Sequence, residues 1–245
     1  MFELILLGGF AGLLSGFFGI GGGTILVPLL LFHGFDMKTS IGISVVQMVF
    51  SSIYGSYLNL KKGTLEIRMV SVICSGGFIG ALFSGIIVEN IDAIVLQSVF
   101  LGSTIFALAT FFFKPKEQKS KKSVNPIILF MIGFVLGIVG TSIGVGGSFL
   151  LVPILIGFLH IKHKNATSAG LFFVVFSSIS GFISQSLHGV IHLHNGLIIG
   201  TASLVGVHYG IMLKHSVNES LQKKFLLLFY TGVVSYLTYR TFFIR

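Results

Sequence analysis

The sequence predicts an all-α integral membrane protein made of two internally repeated halves, each with four apolar segments. Three observations carry this. First, 53% of the 245 residues are hydrophobic and only 9% are charged, against about 25% charged in a soluble domain, so there is too little charge to coat a water-facing surface. Second, GFFGIGGGTILVP (Gly16–Pro28) returns as TSIGVGGSFLLVP (Thr141–Pro153), with six of ten positions identical from Gly19/Gly144 to Pro28/Pro153 at an offset of 125. VFSSIYG (Val49–Gly55) and VFSSISG (Val175–Gly181) agree at six of seven positions at an offset of 126, which Gly63/Gly189 and Gly80/Gly206 keep. A period of this kind marks a duplicated unit. Third, no run alternates polar and apolar residues as a strand would. Apolar runs this long are helices in lipid, where the backbone must satisfy its own hydrogen bonds.

Taken in order, the first half (1–113) opens with an apolar segment at 2–32, broken by glycines, followed by 39–60, 65–88 and 93–113. Each is long enough for the ~20 residues a helix needs to cross the hydrocarbon core. KPKEQKSKKSVNP (114–126), with five lysines and two prolines, is a basic linker. The second half (127–245) repeats the plan with a broken segment at 127–159, then 166–187, 195–213 and 225–243. Residues 1–37 contain no Lys or Arg, so the basic start of a cleavable signal peptide is missing and none is expected. A single cysteine, Cys74, excludes an internal disulfide and a cysteine-clustered metal site. The net charge of +9 sits in short loops, as in cytoplasmic loops of membrane proteins, and implies no nucleic acid.

The broken segments decide the topology. As a straight helix, residues 2–32 would be ~46 Å long against a core of about 30 Å, so the segment either crosses with a break or enters, turns and leaves on one side. With crossing segments and the linker inside, ten of the sixteen Lys/Arg face the cytoplasm and Lys38, Lys162, Lys164, Lys214, Lys223 and Lys224 lie outside. With re-entrant segments thirteen lie inside, and only Lys38, Arg240 and Arg245 outside. The positive-inside rule favours the second scheme. It gives each half an odd number of crossings, hence inverted repeats of the kind many secondary transporters use.

Glycine permits unwinding and positive φ without steric cost, and broken backbone at membrane depth survives only inside protein or along a polar cavity. The first break, Gly19, Gly21, Gly22 and Gly23, would expose the free N–H groups of a half-helix restarting at Thr24. Pro28 favours a kink in it. The second offers Gly144, Gly146, Gly147 and the Ser148 hydroxyl. Two such N-termini meeting would bind a small anion without a fixed cation; the other reading is that the glycines only let helices pack closely. Ser44, Gln47, Ser51 and Ser52 in one half, and Thr167, Ser168, Ser177, Ser178 and Gln185 in the other, supply hydroxyl and amide groups. Spacings of three, four and seven put Ser44, Gln47 and Ser51 on one face. These groups serve either an anion or interhelical hydrogen bonds. The repeated SSI-x-G is expected to mark a tight helix crossing.

The paired glycine cluster, followed by an apolar run and proline in a chain of four segments per half, resembles the sulfite exporter (TauE/SafE) family over essentially its whole length. That resemblance implies a bacterial-type inner-membrane, multi-pass transporter of sulfite, a sulfonate or another small sulfur-containing or organic anion.

Other candidate chemistry is sparse. No acidic or basic residue falls in the middle of a predicted crossing; Glu66 and Arg68 sit at one mouth, Glu89 and Asp92 at another. The one ionisable residue read as well inside is His208, a proton-coupling candidate or a neutral structural histidine. His188, His192 and His194 are spaced to meet, but the sequence shows no acidic or cysteine ligand near them, and a solvated loop is the simpler reading. A divalent-metal permease is the alternative transporter, weakened by missing intramembrane carboxylates. An intramembrane enzyme lacks H-E-x-x-H, G-x-S-x-G and a serine spaced to His208. A scaffold acting through the basic linker has only charge behind it. Without a P-loop, ATP coupling in this chain is not expected. No cofactor and no resident metal are expected. The partners expected are a small anion and lipid, with a homo-oligomer left open.

Overall fold

A computed structural model describes residues 1–64, 67–112, 125–157, 161 and 163–243, and gives no account of the side chains at 67–69, 111–112, 219, 223 and 241–243. Glu66, Lys119 and Lys162, and the side chains of Arg68 and Lys223, lie outside the described residues. Those residues form helices: α1 (Phe2–Phe18), α2 (Gly23–Phe32), α3 (Met37–Lys61), α4 (Ile67–Ala81), α5 (Ser84–Asn90), α6 (Ala93–Phe112), α7 (Pro126–Ser142), α8 (Ser148–Gly157), α9 (His163–Leu187), α10 (Leu193–Ser216) and α11 (Glu219–Phe243). Five stretches among them are long and apolar enough to cross a membrane, namely Met37–Lys61, Val70–Asn90, Ala93–Thr110, His163–Leu187 and Leu193–Ser216. The segment expected as one helix over 65–88 is two, because Leu82 and Phe83 donate three residues back, to Ile79 and Gly80, and tighten the chain there.

Local chemistry sets the helix ends. Asp36 caps α3 by accepting the Thr39 amide at 3.0 Å, as an N-cap side chain should. Partial burial pushes the Asp36 carboxyl up, but hydrogen bonds from Thr39 and from the backbone amides of Asp36 and Lys38 together outweigh it, leaving it below the usual carboxylate value. Asn125 caps α7 through the Ile127 amide at 3.0 Å, with Pro126 in the first turn. Gly19 closes α1 in the left-handed conformation, φ 67°, its N–H on the Ser15 carbonyl.

Close packing depends on glycines four residues apart. Helices α1 and α10 lie side by side in the same direction, with Gly8 on Ile199, Gly12 on Ser203 and Gly16 on Val207, while Gly206 and Gly210 press on Gly9 and Leu13. Helices α7 and α4 do the same through Gly133 on Ile73, Gly137 on Gly77, and Gly76 and Gly80 on Phe130 and Phe134. Small residues at this spacing let backbones approach where lipid offers no hydrophobic drive. Helices α3 and α9 pack on each other between these pairs, α3 also on α10 and α9 on α4, and α6 packs on α11.

The loops sort to two ends. At one end Lys38 donates to the Glu89 carbonyl, Thr39 meets His192, His188 pairs with Glu89, and Arg240 donates to the carbonyls of Leu31 and Phe35. At the other, Thr64 and Lys214 both meet Ser168, Ser168 donates to the Lys164 carbonyl, and Gln222 donates to the Lys214 carbonyl.

Candidate functional site

The two glycine breaks, 125 residues apart in sequence, meet in the middle of the bundle. Ser44 of α3 donates its hydroxyl to the Gly144 carbonyl at 2.7 Å, and that same carbonyl lies where a Cβ on Gly23 would stand. A Cβ on Gly21 would be 3.3 Å from the Ser148 hydroxyl and 3.5 Å from the Val145 carbonyl. Gly21 and Gly147 have φ of 74° and 82°, a left-handed backbone that strains any residue with a Cβ. The first helical bonds run from Ile25 and Leu26 to the Gly22 carbonyl, and from Leu150 and Leu151 to that of Gly147. The amides just before them, at Gly23 and Thr24 and at Ser148 and Phe149, are left without helical acceptors. Both half-helices therefore start at one place, each presenting the positive end of its dipole.

Side chains around this point are buried yet unpaired. Thr24, Gln47 and Ser148 are each 0% exposed. Their hydroxyls and both polar atoms of the Gln47 amide have no hydrogen-bond partner. The Gln47 amide lies against Gly22, on the spot a Cβ there would take. Buried polar atoms are nearly always paired, and leaving one unpaired costs about 1–3 kcal/mol, so these three side chains keep donors and acceptors free for a polar partner. The arrangement offers backbone N–H groups, two hydroxyls and an amide, with no charged side chain. Its chemistry suits a small anion. The second break is braced from α9, where Ser177 donates to the Gly146 carbonyl at 2.9 Å and Gln185 to that of Thr141 at 3.2 Å. SSI-x-G is thus more than a crossing: Gly55 packs on Leu171, while Ser177 holds the break.

Several expectations change. Gly22 has φ −67° and caps α2 in the right-handed region, so its lack of a side chain serves the Gln47 amide and not a left-handed turn. The half-helix restarts at Gly23, one residue earlier than Thr24. A serine at Gly23, the counterpart of Ser148, has no room, because its Cβ would fall on the Gly144 carbonyl. Thr167 packs against Gly19 at the edge of the first break, whereas the Ser168 hydroxyl turns to Lys214 and Thr64, away from the breaks.

His208 is not inside. It is exposed on the outer face of α10, with Nδ1 3.0 Å from the Tyr54 hydroxyl and its ring stacked on that tyrosine. In the histidine-rich loop, the expectation that no acid stands near is corrected by α5: Glu89 lies 2.5 Å from His188 Nδ1. His192 meets the Thr39 hydroxyl at 3.3 Å. Among the described residues no three His, Cys, Asp or Glu side chains gather as a metal site would require.

The sequence reading missed Lys214. With α10 ending at 213 it fell in a loop, yet the helix runs to Ser216 and Lys214 is 0% exposed. The signal was its spacing: Lys214 lies four and eight residues after Gly210 and Gly206, both of which are buried against α1.

The family model for sulfite exporter TauE/SafE matches residues 4–237. A probable membrane transporter protein of Haemophilus influenzae is 26% identical over 202 residues, covering 77% of this chain and 76% of its own. YunE, a probable membrane transporter protein of Bacillus subtilis, is 25% identical, covering 90% and 89%. One from Methanocaldococcus jannaschii is 27% identical, covering 94% and 91%. No solved structure matches significantly. The chain therefore belongs to the sulfite exporter TauE/SafE family, as a multi-pass membrane transporter and not an enzyme.

Proposed function

We propose that this protein is a secondary transporter of a small anion, sulfite or another sulfur-containing or organic anion such as a sulfonate, and that the anion binds where the two glycine breaks meet. One observation carries the reading: the fully buried, unpaired Gln47 amide lies against the first break, beside two helix N-termini and the free hydroxyls of Thr24 and Ser148. Every one of these groups is sealed from solvent, which corresponds to an occluded state of an alternating-access cycle. His208 has no part in this reading, because its ring faces away from the breaks. Among the described residues no cluster of His, Cys, Asp or Glu side chains favours a divalent-metal permease.

The same proposal treats the halves as inverted repeats with re-entrant openings. In support, α1 and α7 have 17 residues each, α2 and α8 ten each, and α3 and α9 25 each. The packing exchanges with the halves: α1 lies on α10 as α7 lies on α4. Helix α1 starts at the Lys38 end, runs parallel to α10, and α2 returns to Leu31 at that same end, where Arg240 holds it. Loops 33–38, 89–92 and 188–192 gather at one end, and 59–64, 164–168 and 214–222 at the other. Two full crossings by the broken segments would separate those groups. Single cysteines near Lys119, Lys162 and Lys223, in a Cys74→Ala background, should react with an impermeant thiol reagent only from the cytoplasmic side. Outside labelling of the Lys162 loop would replace the re-entrant scheme with two broken crossings.

Substrate class is tested by flux in proteoliposomes. Sulfite, methanesulfonate, sulfate, acetate and a divalent metal ion are compared against protein-free vesicles. Flux of at least one anion and not of the metal is expected; metal flux alone would overturn the reading.

A further inference from the structure

The lysine-rich end of the bundle holds a group for which the glycine breaks have no use. Lys214 is completely buried in the last turn of α10. Its ammonium donates to the Ser168 hydroxyl at 3.2 Å, and no carboxylate among the described side chains pairs with it. Ser168 is already committed, since its own hydroxyl donates to the Lys164 carbonyl at 2.8 Å and it meets the Thr64 hydroxyl at 2.9 Å. Lys164 and Lys62 add positive charge that bears on Lys214 electrostatically. Asn59 stands one helical turn beyond Gly55, on the face of α3 that Gly55 turns to Leu171 and Val207. It is 0% exposed and neither polar atom of its amide has a partner. An ammonium taken out of water needs a counter-charge and hydrogen-bond acceptors for all three of its donors. A single hydroxyl supplies neither.

We propose that Lys214 and the Asn59 amide, positioned by Ser168 and Thr64, form a second anion-binding site, which holds a small oxyanion at the lysine-rich end of the bundle. The ammonium supplies charge and the two N–H donors that Ser168 does not take, and the Asn59 amide supplies a directional hydrogen bond. The Ser168 and Thr64 hydroxyls, whose protons go to the Lys164 and Asn59 carbonyls, hold the ammonium in place, and Lys62 and Lys164 draw anions toward that end. The site is separate from the breaks in position and in kind: it has a fixed cation, and they have none. It rests on the reading of this protein as a carrier of small anions, for which it would be a station on the path.

Thermal unfolding in detergent separates the two sites. The probes are sodium sulfite and sodium methanesulfonate, each measured against sodium chloride at matched ionic strength. In a Gln47→Leu background, which disables the breaks, at least one probe should still raise the unfolding temperature. Adding Lys214→Gln should raise the half-maximal concentration at least tenfold, while Lys214→Arg keeps it within about threefold. Ser168→Ala, which removes the acceptor that positions the ammonium, should cost roughly threefold to tenfold, the range expected for one hydrogen bond. Lys214→Gln removes a buried charge, so without anion it should unfold no earlier than its parent. If it fails to fold, Ser168→Ala and Asn59→Leu carry the test. No probe-specific shift in the Gln47→Leu protein, or a shift unchanged by Lys214→Gln, would overturn the second site. Normal flux through Gln47→Leu would instead overturn the reading of the breaks and leave Lys214 standing.

Discussion

Gly147→Val should nearly abolish anion flux while the protein still inserts in the membrane. Gly147 sits at φ 82° against the Leu136 carbonyl and the Phe173 ring. A β-branched residue there meets a left-handed backbone, which costs on the order of 1–2 kcal/mol, and its methyl groups push on the chain that presents the second half-helix. Gly22→Val should be as damaging for another reason. Its backbone is right-handed, so the damage comes from displacing the Gln47 amide, whose oxygen and nitrogen are both unpaired beside the first break. Ser148→Ala should be milder, because one hydroxyl contributes about 0.5–1.5 kcal/mol net. If the glycines serve packing alone, flux in both valine variants should fall only as far as folded protein is lost. Flux measured beside thermal stability in detergent distinguishes these outcomes.

Much of this molecule could be read from its sequence because lipid imposes few options. Length and apolarity placed most of the helix ends within a few residues, since the backbone in lipid must be helical or buried, though not the start of α11 or the division of α4 from α5. The glycine clusters announced both breaks, because a left-handed backbone such as that of Gly21 and Gly147 tolerates little else. Sequence could not show that Gly23 and Gly144 touch, which depends on how α1, α3 and α9 pack. Nor could it tell the exposed face of α10 from the buried one. In the first half Leu82 stands at the position of His208 and is exposed as well, but exposure is a property of the assembled bundle. Lys214 was lost to a helix end misplaced by three residues, and charge at a helix terminus ordinarily means solvent. The Glu89–His188 pair joins α5 to the end of α9, 99 residues apart, and no spacing rule reaches that far.

Gln47→Leu should change function and stability in opposite directions. The side chain is 0% exposed and its amide oxygen and nitrogen are both unpaired, so the folded protein bears their desolvation. Leucine has a similar volume and removes that cost, so the variant should be more stable by about 1–3 kcal/mol. Few functional residues make this forecast, since loss of a structural hydrogen bond would destabilise. Stability gained with flux lost is the signature of a polar group kept for a ligand.

The central claim is that the two breaks together hold the transported anion, and one paired measurement tests it most directly. Wild-type and Gln47→Leu proteins are reconstituted at equal folded amounts, with sulfite and methanesulfonate flux followed in the proteoliposomes and unfolding temperature in the same preparations. The account predicts that Gln47→Leu unfolds at a higher temperature and carries no more anion than protein-free vesicles. Wild-type flux through Gln47→Leu would contradict it, and the glycine breaks would then be joints in the packing of the bundle and nothing more.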